Sequence, residues 1–318
     1  MDNFILENGY RSSIQQSPRD SELILKPLVR LPGMQAVMES GVRKKPVRNV
    51  IEVERDHFVM IANIEGCWML RSHNRQCTRV LTDRNIAVIG GGAKIEALTA
   101  RGNHRHIIFS WPKDRNRALA QWWETFAPHG ECTIGFSQCQ TGSLHGLAFD
   151  RVSRWDQTTG DMKIASMKAC VYLLVSESLA HDQHHLLSLT ANNHLEKPIG
   201  RLVSLVRENP CSQWTLREAA QIVGYSAFHL SRTFKTTVGY GFPEFVDRCR
   251  TELAIQTISD PALTMESVAT QAGFGSTQAM RNSFRAHTGF LPSEVRSFLI
   301  DQHAIVNMGE LDLELEQS

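Results

Sequence analysis

Residues 215–245 read TLREAAQIVGYSAFHLSRTFKTTVGYGFPEF, and residues 264–295 read TMESVATQAGFGSTQAMRNSFRAHTGFLPSEV. The two stretches are copies of one pattern, offset by 49 residues at their start and by 50 farther along. Their matching pairs are Thr215 with Thr264, Ala220 with Ala269, Gly224 with Gly273, Ser226 with Ser276, Phe234 with Phe284, and Gly239 with Gly289. An internal repeat of this length indicates one supersecondary unit that occurs twice.

Each copy carries the start and stop signals of two short helices. Thr215 can cap the first helix with Glu218 three residues on, which is a capping box. Gly224 and Gly273 can adopt the left-handed conformation that ends this helix, and a serine two or three residues later can cap the next one. Two helices joined by a short glycine-containing turn predict a helix-turn-helix. We place the first unit at 215–239 and the second unit at 264–289.

The second helix of each unit has one apolar face and one polar face. Leu230 and Phe234 mark the apolar face in the first unit, and Met280 and Phe284 mark it in the second. The stretches 225–240 and 274–290 contain two Lys or Arg each and no acid. Arg can pair with guanine, and Gln or Asn with adenine, in the major groove of DNA. The pattern therefore favours DNA reading, while a helical repeat that binds only other proteins remains an alternative.

Residues 200–298 resemble the DNA-binding domain of the AraC/XylS family of transcription regulators. The motifs that carry the resemblance are SAFHLSRTFKTTVG at 226–239, AxxAGF at Ala269–Phe274, and FRAHTGFLPSEVR at 284–296. It implies a domain at 201–300 in which a connecting helix, about Pro243 to Ser259, joins two helix-turn-helix units on adjacent major-groove segments. The chain departs from the family pattern at Met280, where an aromatic residue is usual, and at Asn282, where Arg is common.

The polar faces and the resemblance together give ten candidate DNA-binding residues. They are Ala227, Phe228, Ser231, Arg232 and Lys235 in the first unit, and Thr277, Gln278, Arg281, Asn282 and Arg285 in the second.

The N-terminal half has a different pattern. Short β-like runs separated by turn residues fill a core at about 45–150, which is typical of an antiparallel sandwich or barrel. Helices are predicted at about 114–127 and 161–187, followed by a polar linker at 190–200. We therefore expect a two-domain α+β protein with residues 1–189 as its N-terminal domain, and the family resemblance implies that this is a sensor or dimerisation domain. The family resemblance implies that this domain is a cupin-like barrel.

Composition limits the function classes further. The 318 residues include 34 Lys+Arg and 33 Asp+Glu, a net charge of +1, which argues against a protein that coats nucleic acid or membrane by bulk charge. Residues 301–318 form an acidic tail with five acids and no Lys or Arg. Seven cysteines without a Cys-x-x-Cys pair, together with an N-terminus lacking a signal-peptide pattern, predict a cytoplasmic protein with reduced thiols.

These features predict double-stranded DNA as the partner, with RNA polymerase as a second partner if the protein is an activator. A homodimer and a small-molecule effector are expected by resemblance, and no cofactor, metal, membrane contact or catalytic residue is expected. One alternative is a metal-dependent cupin enzyme, because His104-x-His106 is similar to the paired metal histidines of enzymatic cupins. No acid follows before Asp114, so sheet-face histidines, one of them solvated, are the preferred interpretation.

Overall fold

The computed structural model describes residues 3–6, 10–14, 21–31, 34–72, 78–115, 134–139, 143–155, 161–180 and 197–300. Its N-terminal part is built from β-strands with two helices, and its C-terminal part is helical. The twelve described strands are β1 (Asn3–Leu6), β2 (Tyr10–Ile14), β3 (Ser21–Leu31), β4 (Met34–Arg43), β5 (Val47–Val53), β6 (His57–Glu65), β7 (Trp68–Ser72), β8 (Thr78–Leu81), β9 (Asn85–Ile89), β10 (Lys94–Thr99), β11 (Gly102–Pro112) and β12 (Ile134–Gln138).

The strands form two six-stranded antiparallel sheets. The first sheet has the order β1-β2-β5-β10-β7-β8, and the second has the order β12-β9-β6-β11-β4-β3. Side chains of a strand alternate between the two faces of its sheet. Ile51, Leu70 and Ile95 of the first sheet meet Ile61 and Ile108 of the second in one buried cluster. The N-terminal domain is therefore a β-sandwich.

Two helices cover the outer face of the second sheet. They are α1 (Leu144–Ser153) and α2 (Asp161–Ala180). Met60 and Phe109 on the sheet pack in one buried cluster with Phe149 of α1 and Val171 of α2. The apolar stripe of α2 therefore packs on the sheet.

Seven helices follow in the C-terminal part. They are α3 (Lys197–Glu208), α4 (Leu216–Val223), α5 (Ala227–Val238), α6 (Phe242–Thr257), α7 (Met265–Gln271), α8 (Thr277–Thr288) and α9 (Pro292–Ile300). Their buried residues, among them Phe234, Phe245 and Phe284, belong to one cluster. None of the described helices is long and apolar enough to cross a membrane.

The two-domain α+β prediction is confirmed, but several boundaries were wrong. The strands begin well before residue 45, because β3 and β4 pair along most of their length despite Pro27, where the register shifts. Leu144–Ser153 is a helix inside the region predicted to be β-rich, and its N-cap Ser143 accepts a hydrogen bond from the Gly146 amide. The predicted linker is shorter at its C-terminal end, since α3 starts at Lys197 and Pro198 is tolerated in a first turn.

Some predictions fall outside the described residues. Lys113–Arg115 is a short 3-10 helix, but residues 116–127 of the predicted helix are not described. The same holds for residues 181–187 of the second helix, for 190–196 of the linker and for the acidic tail 301–318.

His104 and His106 are both buried on β11, at 2% and 0% exposure, so the expectation that one is solvated was wrong. Nε2 of His104 lies 2.6 Å from the Ala100 carbonyl oxygen, and burial lowers the pKa of His104 to about 4. His106 stands edge-on to the Trp68 ring, with 4.4 Å between ring centroids, and contacts Glu39 at 3.3 Å. Among the described residues, the side chains close enough together to share a metal ion are Glu54, Asp56 and His57. This group includes neither His104 nor His106.

Candidate nucleic-acid interface

The first unit folds as its sequence signals predict. Thr215 accepts a hydrogen bond from the Glu218 amide, and the Glu218 carboxylate accepts one from the Thr215 amide, which completes the capping box. The helix ends at Gly224, whose φ of +73° is left-handed, and its amide is bonded to the Ala220 carbonyl. Ser226 then caps α5 by accepting from the His229 amide. These local bonds fix the angle at which α5 leaves α4.

The second unit repeats this arrangement with a longer turn. Thr264 caps α7 and Ser276 caps α8, in each case through the side-chain oxygen and an amide three residues on. The turn spans residues 272–276, against 224–226 in the first unit, and the preceding helix is one residue shorter, so the offset grows from 49 to 50. Gly273 has a φ of +81°, as expected for a residue that follows a helix end.

Helix α6 connects the two units and shares their core. Phe234 of α5 packs edge-on against Phe242 and Phe245 of α6, with 5.4 Å between ring centroids in both pairs. On the other side, the Thr251 hydroxyl of α6 lies 2.9 Å from the Ser283 hydroxyl of α8. Because both reading helices, α5 and α8, pack on one helix, their separation is fixed by a continuous core.

Two arginines that the sequence reasoning missed hold the loops before each unit. Arg250 donates to the carbonyl oxygens of Pro210 and Ser212 at 3.0 and 2.9 Å. Arg296 donates to the carbonyl oxygens of Ile258 and Leu263 at 3.0 and 2.8 Å. Nothing local in the sequence marks them, because each bonds a segment more than 30 positions away.

All ten candidate DNA-binding residues are exposed on α5 and α8. Phe228 is 80% exposed, which is unusual for a large apolar side chain. Gln278 donates to the Asn282 side-chain oxygen at 2.8 Å, so these two amides form a pair along α8. The opposite faces carry Leu230, Phe234, Met280 and Phe284, all at most 1% exposed.

Three acids near the first unit and the connecting helix are paired or buried. Glu218 serves the capping box, and Glu244 pairs with Arg248 on the same helix at 3.1 Å. Glu252 is 6% exposed. The reading faces therefore present Arg232, Lys235, Arg281 and Arg285 without a carboxylate among them, which is the charge pattern that phosphate and base contacts require.

His287 corrects one element of this charge picture. His287 lies on the second reading helix, where it could add a positive charge, but it is only 9% exposed. Burial, followed by the nearby charge of Arg248, lowers the pKa of His287 to about 4. His287 is therefore neutral at pH 7 and contributes packing rather than charge.

This lowered pKa predicts that acid weakens the domain. The unfolded chain takes up the proton near the ordinary pKa of 6.5, whereas folded His287 resists it down to about 4. The free energy of unfolding is therefore highest above pH 6.5 and falls as the pH drops towards 4. Between pH 7.5 and pH 5.0, urea unfolding should show a smaller decrease in the free energy of unfolding for His287→Gln than for the unmodified chain. His229→Gln, at an exposed site on α5, is the control, and an equal loss in all three proteins would contradict the assignment.

Comparisons with known proteins agree with this geometry. A family model described as a helix-turn-helix domain matches residues 219–297. A putative AraC-like transcription regulator of Streptomyces lividans is 30% identical over 98 residues, which are 31% of this chain and 32% of that protein. The HTH-type transcriptional regulator RipA of Corynebacterium glutamicum is 36% identical over 85 residues, 27% of this chain and 25% of that protein. The matched part thus spans about a third or less of these relatives.

The solved structure of ToxT from Vibrio cholerae covers 85% of this chain at 12% identity, with a TM-score of 0.35. A likeness that weak does not bear on how the N-terminal sandwich works. The assignment rests instead on the matched C-terminal residues and on the two capped units that they form. Residues 219–297 form a helix-turn-helix domain, and this part of the chain is similar to AraC-like transcription regulators.

Proposed function

We propose that the protein is a sequence-specific transcription regulator that binds duplex DNA through α5 and α8 in adjacent major-groove segments. The observation that carries the proposal is the pair of exposed, acid-free reading faces on one shared core. Helices of two such units reach successive groove segments when about one DNA turn, roughly 34 Å, separates them.

The ten exposed residues divide by chemistry between the two units. Arg232 and Lys235 of α5 offer charge for guanine or phosphate, and Phe228 offers an apolar surface for a thymine methyl. On α8, Gln278 and Asn282 offer the amide groups that pair with adenine. All of these side chains are exposed on the faces of α5 and α8 that point away from the core.

In this proposal the N-terminal sandwich dimerises and receives a signal from a small-molecule effector, while RNA polymerase is the partner in the case of activation. The protein acts in the cytoplasm and carries out no catalysis. Neither rival function, a metal-dependent enzyme or a regulator that binds only proteins, is favoured by a specific observation among the described residues.

The reading residues give the direct test. Arg232→Ala and Gln278→Ala should each weaken binding to a selected operator by about 5- to 150-fold, which corresponds to about 1–3 kcal/mol per base contact. Both side chains are exposed, so the melting temperatures should stay unchanged. Gel-shift titration of duplexes selected from random-sequence DNA measures the affinities.

The matched controls remove the same groups from exposed sites on other helices. Arg201→Ala on α3 and Gln256→Ala on α6 should leave the affinity unchanged. Unchanged affinity in both reading variants would overturn the assignment of α5 and α8. Failure of the intact chain to select any duplex, alongside a stable protein partner, would favour the protein-binding alternative.

A further inference from the structure

The outer face of the first sheet is apolar where an exposed sheet would be polar. Met69, Val80 and Leu98 point away from the sandwich interior and belong to the same buried cluster as the helices of the C-terminal domain. Cys67 and Ala100, at the adjoining strand ends, are part of it. The first sheet and the DNA-binding domain therefore share a continuous core.

A buried charge cluster completes this contact. Arg71 of β7 donates to the Glu96 carboxylate of β10 through Nε and Nη2. Its Nη1 donates to the Leu299 carbonyl oxygen of α9 at 2.6 Å. Its guanidinium lies 4.9 Å from the centre of the Phe298 ring. Carbonyl groups in the last turn of a helix lack internal partners, and an arginine is well suited to bind them.

Further side chains join the two parts around this centre. Arg48 of β5 donates to the Ser297 hydroxyl at 2.9 Å, and its guanidinium lies 5.8 Å from the Phe298 ring centre. Arg101 pairs with Glu294 at the other end of α9. Buried hydrogen-bonded ions combined with apolar packing are features of a specific interface rather than of a chance encounter.

A tight contact also lies at the C-terminal end of the second reading helix. A Cβ atom placed on Gly289, which ends α8, would be 3.1 Å from Cβ of Ala100 and 3.4 Å from Cβ of Cys67. The candidate base-reading residues Thr277, Gln278 and Arg281 lie towards the other end of α8 and are exposed. The contact therefore involves the C-terminal end of α8 and leaves the reading face exposed.

We propose that the outer face of the first sheet is a docking surface for α9 and the C-terminal end of α8, and that this contact persists when DNA is bound. The docked form holds α8 in a fixed position and binds DNA more tightly than an undocked form, so DNA binding stabilises the docked first sheet. By reciprocity, a change in that sheet alters DNA affinity. This inference rests on the proposed DNA-binding function.

A disulfide that locks the contact tests whether the docked form binds DNA. Gly289→Cys faces Cys67, and the spacing of 3.4 Å is close to the 3.5–4.5 Å that disulfides require, about 3.8 Å on average. Ala100→Gly in the same variant removes the 3.1 Å contact. Oxidised glutathione should form the bond, as peptide mass spectrometry would show, and the locked protein should bind a selected duplex within about threefold of its reduced form.

The same variant with Cys67→Ala cannot form this bond and is the control for other thiols. Absence of the cross-link in folded protein would show that the surfaces do not meet. Loss of DNA binding on oxidation, restored by reduction, would show that the docked form is not the DNA-bound form. Either result overturns the inference and leaves the DNA-binding function intact.

Hydrogen exchange on the unmodified chain provides a test that does not depend on the folding of a variant. Adding the selected duplex should slow amide exchange in β7 and β10 by about fivefold or more. Ala100→Arg, which places a long charged side chain against Gly289, should abolish this protection. Unchanged exchange in the intact chain with DNA bound would refute the coupling, whereas failure to bind any duplex would refute the proposed function.

Discussion

Gly273→Ala is expected to destabilise the second helix-turn-helix unit far more than the same change at Gly224 destabilises the first. A Cβ atom at Gly273 would lie 2.5 Å from Cα and 2.9 Å from the carbonyl oxygen of Cys211. These are backbone atoms of another loop, so the clash cannot be relieved by turning a side chain. Because the φ of +81° is also left-handed, we expect Gly273→Ala to lower the free energy of unfolding by about 2–5 kcal/mol.

Gly224 is the matched control because it occupies the same position in the first unit. Its φ of +73° is also left-handed, but no atom lies within 4 Å of a Cβ placed there. Alanine at 224 therefore carries only the conformational cost, about 1 kcal/mol. Urea unfolding followed by circular dichroism would compare the two variants. Equal losses would show that the approach of Cys211 does not matter.

These two glycines show what the sequence can and cannot predict. Both were expected to be left-handed at a helix end, and both are, since that requirement is local: Gly224 caps α4, and Gly273 directly follows Ala272, the cap of α7. The approach of Cys211 to Gly273 was not predictable, because it joins residues about 60 positions apart. The caps at Thr215, Ser226, Thr264 and Ser276 were predictable for the same local reason.

The N-terminal domain shows the same limit. β5 (Val47–Val53) lies inside the predicted β-rich core at 45–150, because its β-branched residues favour a strand. β3 and β4 were missed, since their pairing is long and Pro27 argues locally against a strand. Nothing in the sequence around Arg71 reveals that its partner outside the sheet is the Leu299 carbonyl. The docking surface therefore emerges only from the tertiary structure.

Phe284→Ala is expected to cost about 3–5 kcal/mol of stability, because the side chain is fully buried and its removal leaves a cavity. Phe284 lies on α8 in the core that α6 and α9 share, so no single loop can close the space. Its counterpart Phe234 on α5 is equally buried, and Phe234→Ala should show a similar loss.

Phe228→Ala is the control, because we expect it to leave stability unchanged and to weaken DNA binding. Its ring is 80% exposed, so the substitution should change the free energy of unfolding, measured by thermal melting, by no more than about 0.5 kcal/mol. If the ring contacts DNA, affinity for the selected duplex should fall while the fold is intact. A Phe228 variant that loses stability as Phe284→Ala does would show that the ring packs in the core. A variant that keeps both stability and affinity would remove Phe228 from the reading face and leave α5 to act through its polar side chains.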